Sequence, residues 1–186
     1  MRTARSGQSA LLLLDAVDAL QQQGVDYLVI GAFALAVHGV VRASTDADAL
    51  LSIVPARLAQ LAGVFENAGF GTTLRHGDVE DPIAAMLVLS DGFANQVDLL
   101  GGLRGLDPKV FSRGIAVPFL GATLRVVGRE DFIAMKCFAG RAQDILDARS
   151  AYHGADGPIE LDLLRTVTRR FGREAADRLE TVIQRI

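Results

Sequence analysis

Two aspartates lie two residues apart in the stretch 45–51, which has the sequence TDADALL. Two carboxylates at this spacing, followed by apolar residues, are expected at the end of a strand. Side chains on a strand alternate between its two faces, so Asp46 and Asp48 would share one face. Two carboxylates held so close repel each other, and each raises the pKa of the other unless a cation lies between them. Oxygen ligands at adjacent positions on one face suit a hard divalent ion such as Mg²⁺. The alternative is an exposed strand end with two solvated aspartates.

The residues before this pair predict an anion site. Residues 25–30 have the sequence VDYLVI and predict a buried strand, after which Gly31 starts a short alanine-rich helix that ends near Gly39. The first N–H groups of a helix have no partner inside the helix, so they attract anions such as phosphate. Gly31 and Ala32 are therefore candidates for binding a triphosphate through their backbone N–H groups.

Arg42 and Thr45 lie in the linker between this helix and the aspartate pair. Arg42 is either a solvated linker residue or a phosphate contact. The hydroxyl of Thr45 either holds the local backbone or contacts the nucleotide. Both residues are kept as candidates for nucleotide binding.

The order of strand, glycine, short helix, glycine, arginine, threonine and Asp-x-Asp resembles the pattern of the nucleotidyltransferase superfamily. Within it, the sequence is most similar to the bacterial group around the AbiEii-type toxins and their small relatives. The residues that carry the resemblance are Gly31, Ala34, His38, Gly39, Arg42, Thr45, Asp46 and Asp48. The sequence departs from the family at Ala32, where the family usually has glycine or serine. Alanine keeps a backbone N–H for phosphate but supplies no hydroxyl.

The resemblance implies an α/β (α+β) nucleotidyltransferase fold, a small mixed β-sheet flanked by helices with a C-terminal helical layer. It implies transfer of a nucleoside monophosphate from an NTP to an acceptor hydroxyl, with release of pyrophosphate. Asp46 and Asp48 would bind Mg²⁺, usually two ions, which Mn²⁺ could replace. A third acid on a neighbouring strand joins the pair in this family, and Asp98 is the candidate by order along the chain. Asp98 lies between Val97 and Leu99, where an unpaired buried carboxylate would be costly.

Residues 132–149, FIAMKCFAGRAQDILDAR, resemble the helical segment in which the family carries a lysine, an arginine and two aspartates. Here these are Lys136, Arg141, Asp144 and Asp147. At about 100° per residue, Lys136 and Asp147 would lie on nearly the same side of an unbroken helix. In the functional interpretation Lys136 binds the triphosphate, while Asp144 or Asp147 holds Lys136 or Arg141 in place. In the alternative these are ion pairs on a helix surface, since Arg141 and Asp144 are three residues apart.

Periodicity and turn residues place these candidates on alternating helices and strands. We expect helices at 9–23, capped by Ser9, and at 55–68, and strands at 71–75, 83–90 and 94–100. Residues 101–105, GGLRG, are expected to break the sheet, before a helical turn in 107–113 and edge strands at 115–120 and 122–127. The remaining helices are predicted at 129–139 and 141–152, which Gly140 would either kink within one helix or divide into two, and at 159–170 and 173–185. Residues 1–127 would form the core with its N-terminal helix, and residues 128–186 a helical segment packed on it as one compact unit.

The composition limits the partners. The 186 residues are 50% apolar with a formal net charge of −3, so a sizeable core fits and a general electrostatic attraction for nucleic acid does not. Cys137 is the single cysteine, so this chain has no internal disulfide and no thiolate metal cluster. The apolar run 11–14 is too short for a signal peptide, and no stretch approaches the length of a membrane span. We therefore expect a cytoplasmic protein, and the arginine and alanine bias suggests a GC-rich bacterial genome.

The acceptor stays open at this stage. A tRNA, a protein hydroxyl and a small molecule such as an aminoglycoside or a lincosamide all fit. The enzyme could also be the toxin of a toxin–antitoxin pair, with an antitoxin protein as its partner. The alternative function is a catalytically inactive module of the same fold that binds a nucleotide or a partner protein.

Overall fold

Seven strands form one mixed sheet in a computed structural model of the chain, which describes residues 1–42, 44–154 and 157–184. The strands are β1 (Tyr27–Ile30), β2 (Asp46–Leu51), β3 (Gly71–His76), β4 (Ile83–Ser90), β5 (Gln96–Leu103), β6 (Ile115–Phe119) and β7 (Ala122–Val126). Across the sheet they lie in the order β3-β4-β5-β2-β1-β7-β6. The expected mixed sheet flanked by helices is confirmed.

In the described part of the chain, eight α-helices pack around this sheet or extend it. They are α1 (Ser9–Gln22), α2 (Gly31–Val37), α3 (Leu58–Asn67), α4 (Val110–Arg113), α5 (Arg129–Ala139), α6 (Ala142–His153), α7 (Leu161–Arg170) and α8 (Arg173–Ile183). Helix α1 packs on β2 and β5, α3 on β3 and β4, and α2 on β1 and β2. Helices α5 to α8 pack on one another as a C-terminal layer. No described helix combines the length and the apolar character that crossing a membrane requires.

The sheet is parallel at two points, and one of them creates the site. Strand β2 runs antiparallel to β1 but parallel to β5, and β1 runs parallel to β7. The remaining neighbours, β3–β4, β4–β5 and β6–β7, are antiparallel hairpin pairs. Because β2 and β5 run in the same direction, their first residues lie side by side at one edge of the sheet.

One hydrophobic core connects the sheet with the C-terminal helices. It includes Leu12 of α1, Leu50 of β2, Phe132 of α5 and Val182 of α8, all inaccessible to solvent. A side chain such as Phe132 contributes about 3–5 kcal/mol, judged by the cost of truncating a buried phenylalanine to alanine. The position of α5 against the sheet is therefore fixed by packing, which matters for the charged residues that α5 carries.

Three local expectations were wrong, each for a physical reason. The aspartate pair begins β2 and does not end a strand, because the apolar residues that follow it are the buried part of that strand. Strand β5 continues through Gly101, where a break was expected. A Cβ at this position would lie only 2.9 Å from Leu58 Cδ1 of α3, so glycine is the residue that lets the strand continue beneath this helix. The hydroxyl of Ser9 does not cap α1, because it donates to the carbonyl of Thr45 at 2.6 Å. The end of the last predicted helix, residue 185, lies outside the described residues.

Candidate active site

Three aspartates lie on one face of the sheet at the start of β2 and β5. Asp48 is directly opposite Asp98 in the parallel pairing of these strands, and Asp46 is opposite Gln96. Residues two apart on a strand share a face, so Asp46, Asp48 and Asp98 project to the same side. The structure thus brings together the three acids that the sequence singled out, although Asp98 is fifty positions from Asp48 in the chain. Their roles as metal ligands stay predictions.

Hydrogen bonds from neighbouring side chains hold two of these carboxylates. Thr45 Oγ1 donates to Asp46 Oδ1 at 2.7 Å, so this hydroxyl serves a carboxylate and not the local backbone. Gln96 Nε2 donates to Asp98 Oδ1 at 2.8 Å. Gln96 was not among the predicted site residues, although its position two residues before Asp98 on the same strand face was a usable signal.

Asp48 lies in an unfavourable electrostatic environment. Burial, followed by repulsion from Asp98 and Asp46, raises the pKa of Asp48 to about 6, although Lys136 and Arg42 act in the opposite direction. Burial and the charge of Asp46 also raise the pKa of Asp98, against the hydrogen bond from Gln96. Within the described part of the chain, no lysine or arginine forms an ion pair with any of the three acids. The acids therefore carry negative charge that the described residues do not neutralise.

Gly31 makes room for Asp48 at the turn from β1 into α2. Its φ of +66° is favoured by glycine, and a Cβ at this position would lie 2.1 Å from Asp48 Oδ2. Helix α2 has seven residues, and Ala32 in its first turn is buried. Phosphate binding by Gly31 and Ala32 stays a prediction. His38 ends this helix, where its Nε2 donates to the Val127 carbonyl at 3.0 Å.

A second group of charges, here called the ion cluster, consists of Arg42, Lys136, Gln143, Asp144 and Asp147. Lys136 Nζ lies 2.8 Å from Asp144 Oδ1 and 2.9 Å from Asp147 Oδ2. Arg42 donates from Nε to Asp147 Oδ1 and from Nη2 to Asp147 Oδ2, both at 3.2 Å. Gln143 Nε2 donates to Asp147 Oδ1 at 2.8 Å. The cluster therefore joins α5, α6 and the linker that leads to Asp46.

Asp147 is the centre of the ion cluster. Its side chain is only 2% exposed, and burial alone would raise its pKa. The hydrogen bonds from Gln143, Lys136 and Arg42 outweigh burial and lower the pKa below its usual value. Asp147 is enclosed by these donors and holds Lys136 and Arg42 in place, and its part in nucleotide binding stays a prediction.

The ion cluster differs from the expected single helix face. Gly140, with φ of +69°, ends α5, and α6 begins at Ala142, so Lys136 and Asp147 lie on two separate helices. Among the described contacts Asp144 pairs with Lys136 and not with Arg141. Arg42 is not a simple solvated linker residue, since it binds Asp147. Gln143 was missed, although it lies one helical turn before Asp147.

Two cavities adjoin the acids. The first has a volume of about 220 Å³ and is lined by Ser9, Ala32, Phe33, Arg42, Thr45 and Asp46 among others. The second, here called the α5 cleft, has a volume of about 330 Å³ and lies between α5, the start of β4 and the end of β5. Asp48 and Lys136 line the α5 cleft, whereas Asp46 and Arg42 line the first cavity. Asp46 therefore borders one cavity and Asp48 the other.

The donor chemistry of the three acids fits a divalent metal ion, but their present positions do not form a finished site. Within the described ranges, no three His, Cys, Asp or Glu side chains are grouped so that they could hold a metal ion. The oxygens that Thr45 and Gln96 engage would have to reorient toward a shared ion. Carboxylate oxygens are nevertheless the ligands that Mg²⁺ prefers.

Comparison with known proteins finds likeness in three dimensions only. No family model matches the sequence, and no curated protein matches it. The antibiotic-resistance factor ANT(2″)-Ia, solved in solution, has a TM-score of 0.62 at 14% identity over 94% of this chain and 95% of its own. An antigenic nucleotidyltransferase-like protein of Paracoccidioides brasiliensis has a TM-score of 0.54 at 14% identity, over 97% and 94%. The lincosamide antibiotic adenylyltransferase LnuA, solved with lincomycin, has a TM-score of 0.51 at 11% identity, over 81% and 99%.

These identities are low, so the likeness concerns the arrangement of the backbone. The neighbours match almost their whole length, which means that the C-terminal helices belong to the shared architecture as well as the sheet. The more specific grouping with AbiEii-type proteins stays a prediction. The chain has the nucleotidyltransferase fold.

Proposed function

We propose that this protein transfers a nucleoside monophosphate from an NTP to an acceptor hydroxyl. The observation that carries the proposal is the placement of Asp46, Asp48 and Asp98 on one sheet face, without a neutralising ion pair among the described residues. Solved proteins with the same fold include the adenylyltransferase LnuA and ANT(2″)-Ia, the latter also solved in complex with adenylyl-2″-tobramycin. A cluster of acids on the sheet of this fold supports a nucleotidyl-transfer reaction for this protein as well.

Asp46 and Asp48 would hold Mg²⁺, and Asp98 would contribute to a second ion. When bound, the metal would neutralise charge at the reacting phosphate and lower the pKa of the acceptor hydroxyl. Mn²⁺ would replace Mg²⁺, because both ions take oxygen ligands.

The side chains around the acids would position the substrates. In the reaction the acceptor oxygen bonds to the α-phosphorus, and the bond from that phosphorus to the bridging oxygen breaks as pyrophosphate leaves. Asp98, whose pKa is raised above its usual value by burial, is suited to accept the hydroxyl proton. Lys136 would offset phosphate charge from the α5 cleft, and Arg42, Thr45, Gly31 and Ala32 would contact the phosphates. Catalysis would then come from positioning and electrostatics.

A small molecule is the acceptor class that the charge balance favours. The net charge is −3, which gives little general electrostatic attraction for a polyanion such as tRNA. The two cavities beside the acids have volumes of about 220 and 330 Å³, which suit a compact ligand. Tobramycin and lincomycin are therefore the first small acceptors to test, beside tRNA and total cell protein.

Label transfer tests the proposal. The protein would be incubated with Mg²⁺, each α-labelled NTP and each acceptor pool. The Asp46→Asn/Asp48→Asn double variant serves as the negative control, and Asp162→Asn, an exposed aspartate of α7, as the matched control. We expect label in one pool, retained with Asp162→Asn and lost with the double variant. Bound NTP without label in any pool would favour the inactive nucleotide-binding module instead.

We keep the toxin role as a further part of this proposal. It is supported only by the resemblance of the residues around Gly31 and Asp46 to AbiEii-type proteins. Expression in a bacterial host should then arrest growth, and the double aspartate variant should not. Normal growth at equal expression of both proteins would rule out the toxin role and leave the transfer reaction untouched.

A further inference from the structure

One hydroxyl group joins the starts of the two strands that carry the acids. Ser9 Oγ donates to the Thr45 carbonyl at 2.6 Å and accepts from the Gln96 N–H at 3.1 Å. The side-chain hydroxyl of Thr45 in turn donates to Asp46. The side-chain amide of Gln96 donates to Asp98. Ser9 therefore contacts the backbone of both residues whose side chains hold a carboxylate of the site.

The Ser9 hydroxyl takes the place of a direct backbone hydrogen bond between the strands. Strand β5 lies between β4 and β2, and the Asn95 carbonyl accepts at 3.3 Å from the N–H of Asp91, which directly follows β4. Backbone groups of successive strand residues point to opposite neighbours, so the Gln96 N–H points to β2. In the register of β2 and β5, its direct partner would be the Thr45 carbonyl. Because the hydroxyl lies between these two groups, it determines how far apart β2 and β5 begin.

Packing on both sides fixes the position of Ser9. The residue is buried, and Leu12 and Leu13 in the next turn of α1 are inaccessible to solvent. Helix α1 packs on both β2 and β5. On the other side of Ser9, the Gln8 N–H donates to Oδ1 of the buried Asn95 at 2.6 Å. A hydroxyl held in this way by buried neighbours can keep two strand ends at a constant spacing.

We infer that Ser9 is a positioning residue of the metal site and sets the distance between Asp46 on β2 and Asp98 on β5. The inference rests on the proposed function, in which these acids hold Mg²⁺. Ser9 acts through Thr45 and Gln96, since neither hydrogen bond of its hydroxyl is to a carboxylate. Without the hydroxyl, the two backbone groups close on each other or take a water between them. Either change alters the distance between the carboxylates that would share the metal ions.

Mn²⁺ binding and nucleotidyl transfer by three variants test the inference. Ser9→Ala removes only the hydroxyl. Ser9→Thr keeps the hydroxyl and adds a methyl group, for which the first cavity, partly lined by Ser9, offers space. Thr168→Val is the matched control, because it removes another buried hydroxyl, which donates to the Leu164 carbonyl at 2.7 Å in α7. Ser9→Cys, whose thiol is a weak hydrogen-bonding group, replaces Ser9→Ala if that variant does not fold.

We expect Ser9→Ala to bind Mn²⁺ about tenfold more weakly and to lower kcat about tenfold, because partners that orient metal ligands typically contribute 10- to 100-fold. Ser9→Thr should stay within about threefold of the wild type in both quantities. Thr168→Val should lose stability to urea but keep its Mn²⁺ affinity and its rate.

Wild-type Mn²⁺ affinity and kcat in folded Ser9→Ala would overturn the inference. An equal loss in Ser9→Ala and Thr168→Val would overturn it too, because the effect would then follow stability and not the position of the acids. If the wild type binds Mn²⁺ but transfers no label, the proposed reaction fails, and the Mn²⁺ affinities of the variants still decide the role of Ser9. If the wild type binds no Mn²⁺, the inference fails.

Discussion

Two groups of carboxylates in this protein have opposite electrostatic environments. In the ion cluster Asp147 receives hydrogen bonds from Arg42, Lys136 and Gln143, and its pKa is lowered. On the sheet Asp48 faces Asp46 and Asp98, and its pKa is raised to about 6. The same type of side chain is thus neutralised by its neighbours in one region and repelled by them in the other.

The difference separates a structural charge from a functional one. An enclosed carboxylate with three donors is complete within the protein, and removing its charge takes an anionic partner from buried cations. A carboxylate beside two others is complete only when a cation arrives from solution. The ion cluster therefore holds α5, α6 and the Arg42 linker together, and we propose that the acids on the sheet exist for a metal ion.

The largest expected effect is the loss of activity on changing an acid of the sheet. Asp98→Asn should lower the rate of nucleotidyl transfer on the order of 10³-fold, because metal and proton contacts each supply several kcal/mol. The stability should not fall, because Asn relieves repulsion. Transfer kinetics and chemical denaturation of the same protein preparation measure both quantities. A variant that keeps wild-type activity would remove Asp98 from the mechanism.

The next largest expected effect is a loss of stability on changing the ion cluster, whereas the change on the sheet affects activity. Asp147→Asn should lower the free energy of unfolding by about 3 kcal/mol, because it leaves Arg42 and Lys136 with a neutral partner in a buried site. The exposed Asp177, paired with Arg173 at 3.8 Å, is the control, and Asp177→Asn should cost less than about 0.5 kcal/mol. Urea denaturation measures both. Equal small effects of the two substitutions would contradict the structural role of Asp147.

The dependence of stability on pH should also differ between the regions. The folded pKa of Asp48 is raised, so the native state binds the extra proton between about pH 4 and pH 6, and metal-free protein loses stability as pH rises through that window. Asp147 has a lowered folded pKa, so its contribution is present above the ordinary carboxyl pKa and is lost as pH falls. Asp48→Asn should therefore stabilise metal-free protein by about 2 kcal/mol at about pH 8 and by little at about pH 4. Denaturation at both pH values checks this, and an equal effect at both would contradict the assignment.

The smallest effect concerns the glycine against Asp48. Gly31→Ala should cost about 1 kcal/mol of stability, because alanine is strained at positive φ and its Cβ displaces the Asp48 carboxylate. It should also reduce transfer. Gly63 of α3 is the control, since a Cβ there meets nothing within 4 Å, and Gly63→Ala should be neutral or stabilising by about 0.5 kcal/mol. Thermal unfolding and transfer assays compare the two variants.

The features of this site that depend on local spacing could be predicted from the sequence, whereas those that depend on contacts between distant residues could not. Asp46 and Asp48 lie on one face because strands alternate, and that follows from the sequence alone. The pairing of Asp48 with Asp98 was implied only by the family resemblance. The contact between Arg42 and Asp147 spans 105 residues and depends on how α6 packs, which no periodicity shows. The division of the helix at Gly140 was foreseen as an option, but its consequence for Lys136 and Asp147 required the packed structure.

The central claim, that the acids on the sheet form a cation site and the ion cluster does not, is tested most directly by Mn²⁺ binding. Paramagnetic resonance at about pH 8, where Asp48 is ionised, would count bound Mn²⁺ in wild type, Asp48→Asn and Asp144→Asn. We predict that the wild type and Asp144→Asn bind Mn²⁺ with affinities within about threefold, and that Asp48→Asn loses it. Equal binding by wild type and Asp48→Asn, or loss only in Asp144→Asn, would contradict the claim.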